Sequence, residues 1–471
     1  MNILPIASHD LRSNYAKAPS FGRLQDLENP DTANTVLKPA SGRIGSNYFR
    51  VLMNAHYIDD GSEAVDAAKK EMENVNVIAI NMGDFGLKGK PLTAEHDNAV
   101  WRALSNDPIL GKLPRYIHHQ FIHTEDGETL LHLNSDRTGY EGTYLITTGR
   151  DPIDYSDFNA EMIVEGTGKI LDSTEARKLK EASGLADYGI VGITAPTKEK
   201  NKDDSAMPIG QKNAPMVNPD VSDRTPELEA KVLAAVIASG GIISNASCTT
   251  NSVSGVIDAL NQKFGLTSVV LKTIHAVTNS QDLLGKKDYK AESKHARSVD
   301  NSIPTTTGAA KALTKVVPNM KDVALDGSAY RVSTGDGSIS SLIIRLPQGT
   351  VTSTEEIKEY LKQYSDDLIS KGSYLFRMTT PEESDYTSKD VIGEPYGGVV
   401  LTHSIKVDPK CPDQIVMDVA YDNEFGYTNR FAEMMNRMAK GIVSRKAAGA
   451  YANIRSVNAP RVAKMLKAVH A

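Results

Sequence analysis

A chain of 471 residues exceeds one ordinary domain, and 40% apolar with 24% charged residues gives it a core and a normal polar surface. The net charge of −6 gives no reason to expect nucleic acid or an anionic membrane as the main partner. Two cysteines, Cys248 and Cys411, are too few for a disulfide framework or a zinc cluster and fit a reducing compartment. Met1 to Ile6 lack a basic stretch, and no run of about 18 apolar residues offers a transmembrane helix. A cytoplasmic protein without a signal peptide is expected.

Residues 1–35, with Pro5, Pro19 and Pro30 and no sustained period, read as an extension that wraps or frays. From Thr35 the pattern predicts a strand, a glycine turn (Ser41-Gly42-Arg43-Ile44-Gly45) and a helix through Tyr48, Phe49, Val51 and Leu52. Val75 to Ile80 reads as a buried strand, which closes a parallel strand–helix–strand unit. Strands at Met162–Glu165 and Tyr188–Ile193, with a helix over Asp172–Ala182 between them, continue the alternation. Residues 197–226 carry Pro208, Pro215, Pro219 and Pro226 among mixed charges, a surface insertion. After Cys248 an amphipathic helix is predicted, with Val253, Val256, Ile257, Leu260 and Phe264 on one stripe. Strands follow at Ser268–His275, Ser338–Leu346, Val399–Val407 and Gln414–Tyr421, with a helix over Glu355–Ser370. Arg430–Met438 begins a C-terminal helix whose tail, from Lys440 to Lys467, reads as a solvated basic face. The expected architecture is α/β: a parallel-sheet domain over residues 36–247 and an α+β domain with a mostly antiparallel sheet over residues 248–421. Residues 422–471 form a helix and tail returning to the first domain.

Chemistry concentrates at Ser247-Cys248-Thr249-Thr250-Asn251 and at His275. A free thiol has a pKa of about 8.5 and needs help to become a nucleophile. Unpaired N–H groups at a helix start favour the thiolate, and an imidazole can take its proton. A polar, hydroxyl-rich helix mouth is the wrong setting for an inert core cysteine and suits an anion such as phosphate.

These residues, with Ala276-Val277-Thr278-Asn279, Ile303 to Lys311, Tyr330-Arg331-Val332 and Tyr421 to Tyr427, resemble phosphorylating glyceraldehyde-3-phosphate dehydrogenase, in its long form with an N-terminal extension. The resemblance runs from about residue 36 to residue 440 and implies that residues 36–247 are a Rossmann-like dinucleotide-binding domain and residues 248–421 the catalytic domain. It implies Cys248 as the nucleophile and His275 as its base, working through a thioester that inorganic phosphate resolves. Ser247, Thr249, Thr307 and Gly308 would line the attacking-phosphate site. Thr278 and Arg331 would grip the substrate phosphate, a task for which the guanidinium fork is suited. Gly42, Arg43, Ile44, Gly45, Thr194 and Asn423 would hold NAD or NADP, Asn423 taking the nicotinamide amide. No metal is implied. A homotetramer is, with the stretch Lys286–Lys290 and Arg297 packed across subunits.

The sequence departs from that family at the nucleotide end. Ala40 stands where the first glycine of the turn is expected, which requires a negative φ there. Lys38 and Pro39 are unusual at the end of a central strand. Met82 replaces the acid that usually takes the ribose hydroxyls, with Asp84 two residues on, which opens the site to NADP. Ser280 replaces a common acid, and either Lys294 or Arg297 serves the substrate anion. An erythrose-4-phosphate dehydrogenase is therefore a second reading. A non-catalytic relative with a decayed nucleotide site is a third.

Overall fold

The computed structural model describes residues 24–87, 90–196, 233–238, 240–278, 299–449 and 457–469. The insertion at 197–226, Asn279, Ser280, Lys286–Lys290, Lys294 and Arg297 lie outside the described residues, as does the extension up to residue 23.

The first sheet contains, in chain order, β1 (Ala33–Lys38), β2 (Val75–Asn81), β3 (Ile117–His123), β4 (Thr129–Ser135), β5 (Glu141–Thr147), β6 (Met162–Glu165), β7 (Ile190–Ile193) and β8 (Ile242–Ser244). Their spatial order is β8-β7-β6-β1-β2-β5-β4-β3. The six strands from β8 to β5 run parallel, and β3 and β4 add an antiparallel edge. β1, β2, β6 and β7 are buried at every position, as a sheet covered on both faces requires. The chain steps outward from β1 in both directions, to β2 on one side and to β6 on the other. The junction of β1 and β6 is therefore a topological switch point, where an open α/β sheet leaves a crevice beyond its carboxyl ends. One apolar cluster fills the side with α1 (Arg43–His56) and α2 (Glu63–Glu71). Another fills the side with α4 (Ser173–Ala182), whereas the helix before it in the chain, α3 (Asp97–Ser105), buries Val100 and Leu104 in the first cluster. Leu24 and Leu27 are buried in that second cluster, ahead of β1.

The second sheet comprises β9 (Ser268–His275), β10 (Ile303–Thr306), β11 (Ala324–Arg331), β12 (Ser338–Arg345), β13 (Phe376–Met378), β14 (Gly398–Val400), β15 (Lys406–Val407) and β16 (Gln414–Tyr421). It is ordered β10-β11-β9-β12-β16-β14-β13, with β15 also paired to β16. Only β9/β11 and β13/β14 are parallel. The single strand expected over Val399–Val407 is two short ones, because a 3-10 turn at Thr402–Ser404 breaks it. The helices here are α5 (Cys248–Phe264), α6 (Ala309–Val316) and α7 (Thr354–Ser370).

Two helices differ from expectation in instructive ways. α5 carries its apolar stripe, yet every residue from Thr249 to Leu260 is buried. It lies in the interior, packed against α6, α7 and β16, and its polar residues turn inward: Ser252 Oγ donates to the Thr249 carbonyl and Ser254 Oγ to that of Asn251. The C-terminal helix, α8 (Phe425–Ala447), starts five residues before Arg430 and is buried through Ala439. It packs on α1, α2, α5 and β1, and Gly192 of β7 lets it approach, since a Cβ there would lie 2.4 Å from Met435 Sδ. Arg430 is fully buried and paired with Glu71 at 2.8 Å and with Glu433. The basic tail is likewise more than a solvated face. Lys446 holds Glu161 at 2.8 Å with both side chains largely buried. On α9 (Ala459–Val469), Arg461 pairs with Glu128 and Asp157, and Lys464 with Asp126. No helix among the described residues is long and apolar enough to cross a membrane.

Candidate active site

The helix α5 opens at Cys248 because Ser247 caps it: Ser247 Oγ accepts from the Thr250 N–H at 3.1 Å. The turn before it is constrained, with Ala246 in the left-handed region at φ 55°. Side chains from two helices hold that turn. Asn251 Nδ2 donates to the carbonyls of Asn245 and Ser247, and Tyr427 Oη donates to that of Ala246 at 3.1 Å.

His275 ends β9, and in the parallel pairing of β9 with β11 it stands directly beside Arg331. Its Nε2 lies 3.4 Å from Cys248 Sγ. Its Nδ1 lies 2.7 Å from the Ala276 carbonyl oxygen, which can only accept. Nδ1 therefore carries the proton of the neutral ring, and Nε2 presents a lone pair to the thiol. Arg331 Nη1 donates to the same carbonyl at 3.2 Å. Tyr421, in the interior, bridges the two elements that bring thiol and imidazole together. Its hydroxyl lies 2.9 Å from Thr249 Oγ1 and 2.8 Å from Thr273 Oγ1, and its ring meets that of His275 edge-on.

Helix start and cation favour the thiolate, but burial outweighs them. It pushes the Cys248 thiol up to about 11, against the opposing pull of Arg331 and of the N–H groups at the helix mouth. Burial, with the Arg331 charge second, lowers His275 to about 4. Burial thus acts against charge on both partners, disfavouring thiolate and imidazolium alike, while the helix mouth and Arg331 act in favour of the thiolate. Arg331 is itself lowered by burial, with the Cys248 charge acting in the opposite direction.

The other residues expected at the anion sites occupy distinct positions. Ser247 is half-exposed at the mouth, and its Oγ lies 2.7 Å from Thr250 Oγ1. Thr249 is buried with its hydroxyl committed to Tyr421, so it faces the interior rather than the mouth. Thr307 Oγ1 accepts from the Ala309 N–H, and Gly308 stands exposed as the N-cap of α6. Thr278 is half-buried three residues beyond His275. Asn423 is buried just past β16, its Oδ1 accepting from Ser338 Oγ at 2.7 Å.

A cavity of about 920 Å³ opens at the carboxyl ends of β1, β2, β6 and β7. Gly42, Arg43, Ile44 and Thr194 line it, together with Lys38, Asn81, Asp84, Arg150 and Glu165. Gly45 lies beneath it, where α1 touches the strand end: a Cβ there would fall 1.8 Å from the Pro39 carbonyl oxygen. Ala40 keeps a negative φ, so the alanine is accommodated and the demand for glycine rests on Gly45. Met82 is buried in the core. The carboxylate nearest the end of β2 is Asp84, which Arg150 faces at 3.4 Å. Lys38, nearly buried, donates from Nζ to the carbonyls of Arg150 and Asp151 and so anchors that loop. Glu165 is pushed up to about 7 by burial, and its Oε2 has no hydrogen-bond partner among the described residues. A glycine-cradled crevice at the switch point, with a buried acceptor left over, fits a dinucleotide with ribose hydroxyls to donate. Arg43 links this crevice to the thiol side of the molecule through an ion pair with Glu424, the neighbour of Asn423.

Sequence reasoning passed over Asn81, Arg150, Glu165, Ser338 and Tyr421 as site-forming residues. Each is brought in by strand pairing or a loop, and a local pattern carries no such signal. Among the described residues no group of histidine, cysteine and carboxylate side chains is arranged to hold a metal.

Comparison with known proteins agrees with this geometry. Residues 247–423 match the family model described as glyceraldehyde 3-phosphate dehydrogenase, C-terminal domain. A glyceraldehyde-3-phosphate dehydrogenase of Streptomyces coelicolor is 30% identical over 399 residues, covering 83% of this chain and 95% of its own. One from Mycolicibacterium smegmatis is 28% identical over 404 residues, or 85% and 97%. A cytosolic one from Chlamydomonas reinhardtii is 31% identical over 350 residues, or 71% and 88%.

Proposed function

This chain belongs to the glyceraldehyde-3-phosphate dehydrogenase family, and on that premise we propose that it oxidises D-glyceraldehyde 3-phosphate, with NAD or NADP and inorganic phosphate, to 1,3-bisphosphoglycerate. The observation that carries the reading is the contact of Cys248 Sγ with His275 Nε2, with Arg331 in register beside it. Family membership makes the chain an oxidoreductase with a nicotinamide dinucleotide cofactor; the residue roles are our assignment.

His275 Nε2 takes the thiol proton as Cys248 Sγ bonds to the aldehyde carbon, and returns it to the oxygen, giving a hemithioacetal. The positive charge of Arg331 and the N–H groups of the α5 mouth stabilise negative charge as it develops on sulfur and oxygen. A bound nicotinamide would supply the two-electron, hydride-accepting chemistry needed to take the hemithioacetal to a thioester. His275 accepts the hydroxyl proton at that stage. A phosphate oxygen then bonds to the acyl carbon, the carbon–sulfur bond breaks, and sulfur regains its proton. Ser247, Thr249, Thr307 and Gly308 are assigned to the attacking phosphate, with Thr249 acting through its backbone because Tyr421 holds its hydroxyl. Thr278 and Arg331 are assigned to the substrate phosphate, and Gly42, Arg43, Ile44, Gly45, Thr194 and Asn423 to the dinucleotide. A 2′-phosphate would meet the Arg150 guanidinium rather than an unopposed carboxylate, which supports the use of either dinucleotide. The chain acts as a cytoplasmic homotetramer in this reading. One face of its second sheet leaves Val270, Ile274, Tyr330 and Ile343 more than a third exposed, an apolar surface for a second copy.

The test is dinucleotide reduction by purified protein with glyceraldehyde 3-phosphate and inorganic phosphate, run with each dinucleotide. Turnover with both is expected, with kcat/KM values differing by less than about a thousandfold. Cys248→Ser should abolish turnover and keep dinucleotide affinity. Retention of more than about 5% of activity would exclude a covalent route.

A further inference from the structure

In the second sheet, β12 lies between β9, which ends at His275, and β16, which leads to Asn423. The first residue of β12 is Ser338, opposite Tyr421 in the pairing with β16. Ser338 is fully shielded from solvent, and its hydroxyl is used in both directions. Its Oγ accepts from the Ala276 N–H at 3.1 Å and donates to Asn423 Oδ1 at 2.7 Å. Ala276 is at the same time the residue whose carbonyl receives His275 Nδ1 and Arg331 Nη1. The imidazole, the guanidinium and the Asn423 amide therefore meet at one residue, two of them directly and the third through a single serine hydroxyl.

We propose that Ser338 is a positioning residue of the dehydrogenase: it fixes the Asn423 amide in register with His275, so that the nicotinamide ring is presented to the thiol-bound substrate in one orientation. A hydroxyl that accepts from a backbone N–H has its own proton to give, and Asn423 Oδ1 receives it. With Oδ1 held, Nδ2 is the group left to meet the cofactor. Replacing the hydroxyl by hydrogen leaves a buried N–H and a buried amide oxygen without their partner. The amide would regain rotational freedom, at a site where small misplacement is costly to the rate. This inference rests on the dehydrogenase reading and adds a residue that touches none of the reacting atoms.

A double-mutant cycle on turnover tests it, using the full chain with Ser338→Ala, Asn423→Ala and both together. Ser338→Ala should lower kcat/KM for the dinucleotide by about tenfold in the native background, and by less than about twofold once Asn423 is alanine. The rate of Cys248 alkylation without dinucleotide should stay within about twofold of the parent, and Ser338→Thr should recover most of the loss. Equal losses in both backgrounds would mean that the serine serves folding alone and would overturn the proposal. So would a Ser338→Ala variant as active as the parent. A parent that turns over neither dinucleotide would instead remove the dehydrogenase reading itself, and this inference with it.

Discussion

Burial and charge pull Cys248 in opposite directions, and the balance assigns work to each neighbour. Burial disfavours the thiolate, so reactivity depends on a base within reach and on any positive charge that offsets the burial. In the proposed reaction His275 fills that part, with burial and then Arg331 lowering its pKa to about 4. Arg331 lowers the thiol and imidazole together. Removing its charge should move the thiol further up, so thiolate at a given pH becomes scarcer. In Arg331→Gln, the pH profile of iodoacetamide alkylation should move to higher pH. A profile displaced by about one pH unit would mean roughly tenfold slower reaction at neutral pH. An unchanged profile would mean that the guanidinium exerts no field at the sulfur.

The turn from β1 into α1 carries its constraint at one glycine. Gly45 meets the Pro39 carbonyl so closely that even a methyl group overlaps backbone on the facing side, and backbone cannot swing away as a side chain can. Gly45→Ala should cost about 3 kcal/mol of stability and open the crevice, seen as a lower urea midpoint and lost dinucleotide affinity. Ala40→Gly, by contrast, restores the residue expected from the family at a position already compatible with alanine. It should leave affinity within about twofold and stability lower by at most about 1 kcal/mol, through added freedom of the unfolded chain.

Two sheets, with α5 and α8 buried between them and their helices, join into one continuous interior, and the apolar cluster that contains α1 also contains residues of α5, α6 and β12. Among the described residues, the other face of the second sheet is exposed at alternate positions, as β9 displays along its length. If that face meets another copy, a charge placed in it should be far more costly to assembly than to the fold of one subunit. Ile343→Glu should sediment as a smaller species than the parent at the same concentration while retaining its secondary structure. A parent that sediments as a monomer would remove the tetramer from the reading.

Most of the strand–helix alternation, the helix opening at Cys248 and the strand ending at His275 were legible in the chain, because periodicity, caps and glycine turns are local. The strands β3, β4, β5, β8, β10, β11 and β13 were not, since no single segment signals which neighbour it will pair with. The same division holds within the site. Motif and family resemblance by themselves grouped a thiol, an imidazole and the hydroxyls of a helix mouth with an α/β fold. Only the tertiary structure decided that burial opposes ionisation of the thiol, that Thr249 turns to Tyr421, that the steric need for glycine falls on Gly45, and that Ser338 stands between His275 and Asn423. Each of these depends on burial or on register between distant strands, and neither quantity is a property of a residue and its sequence neighbours.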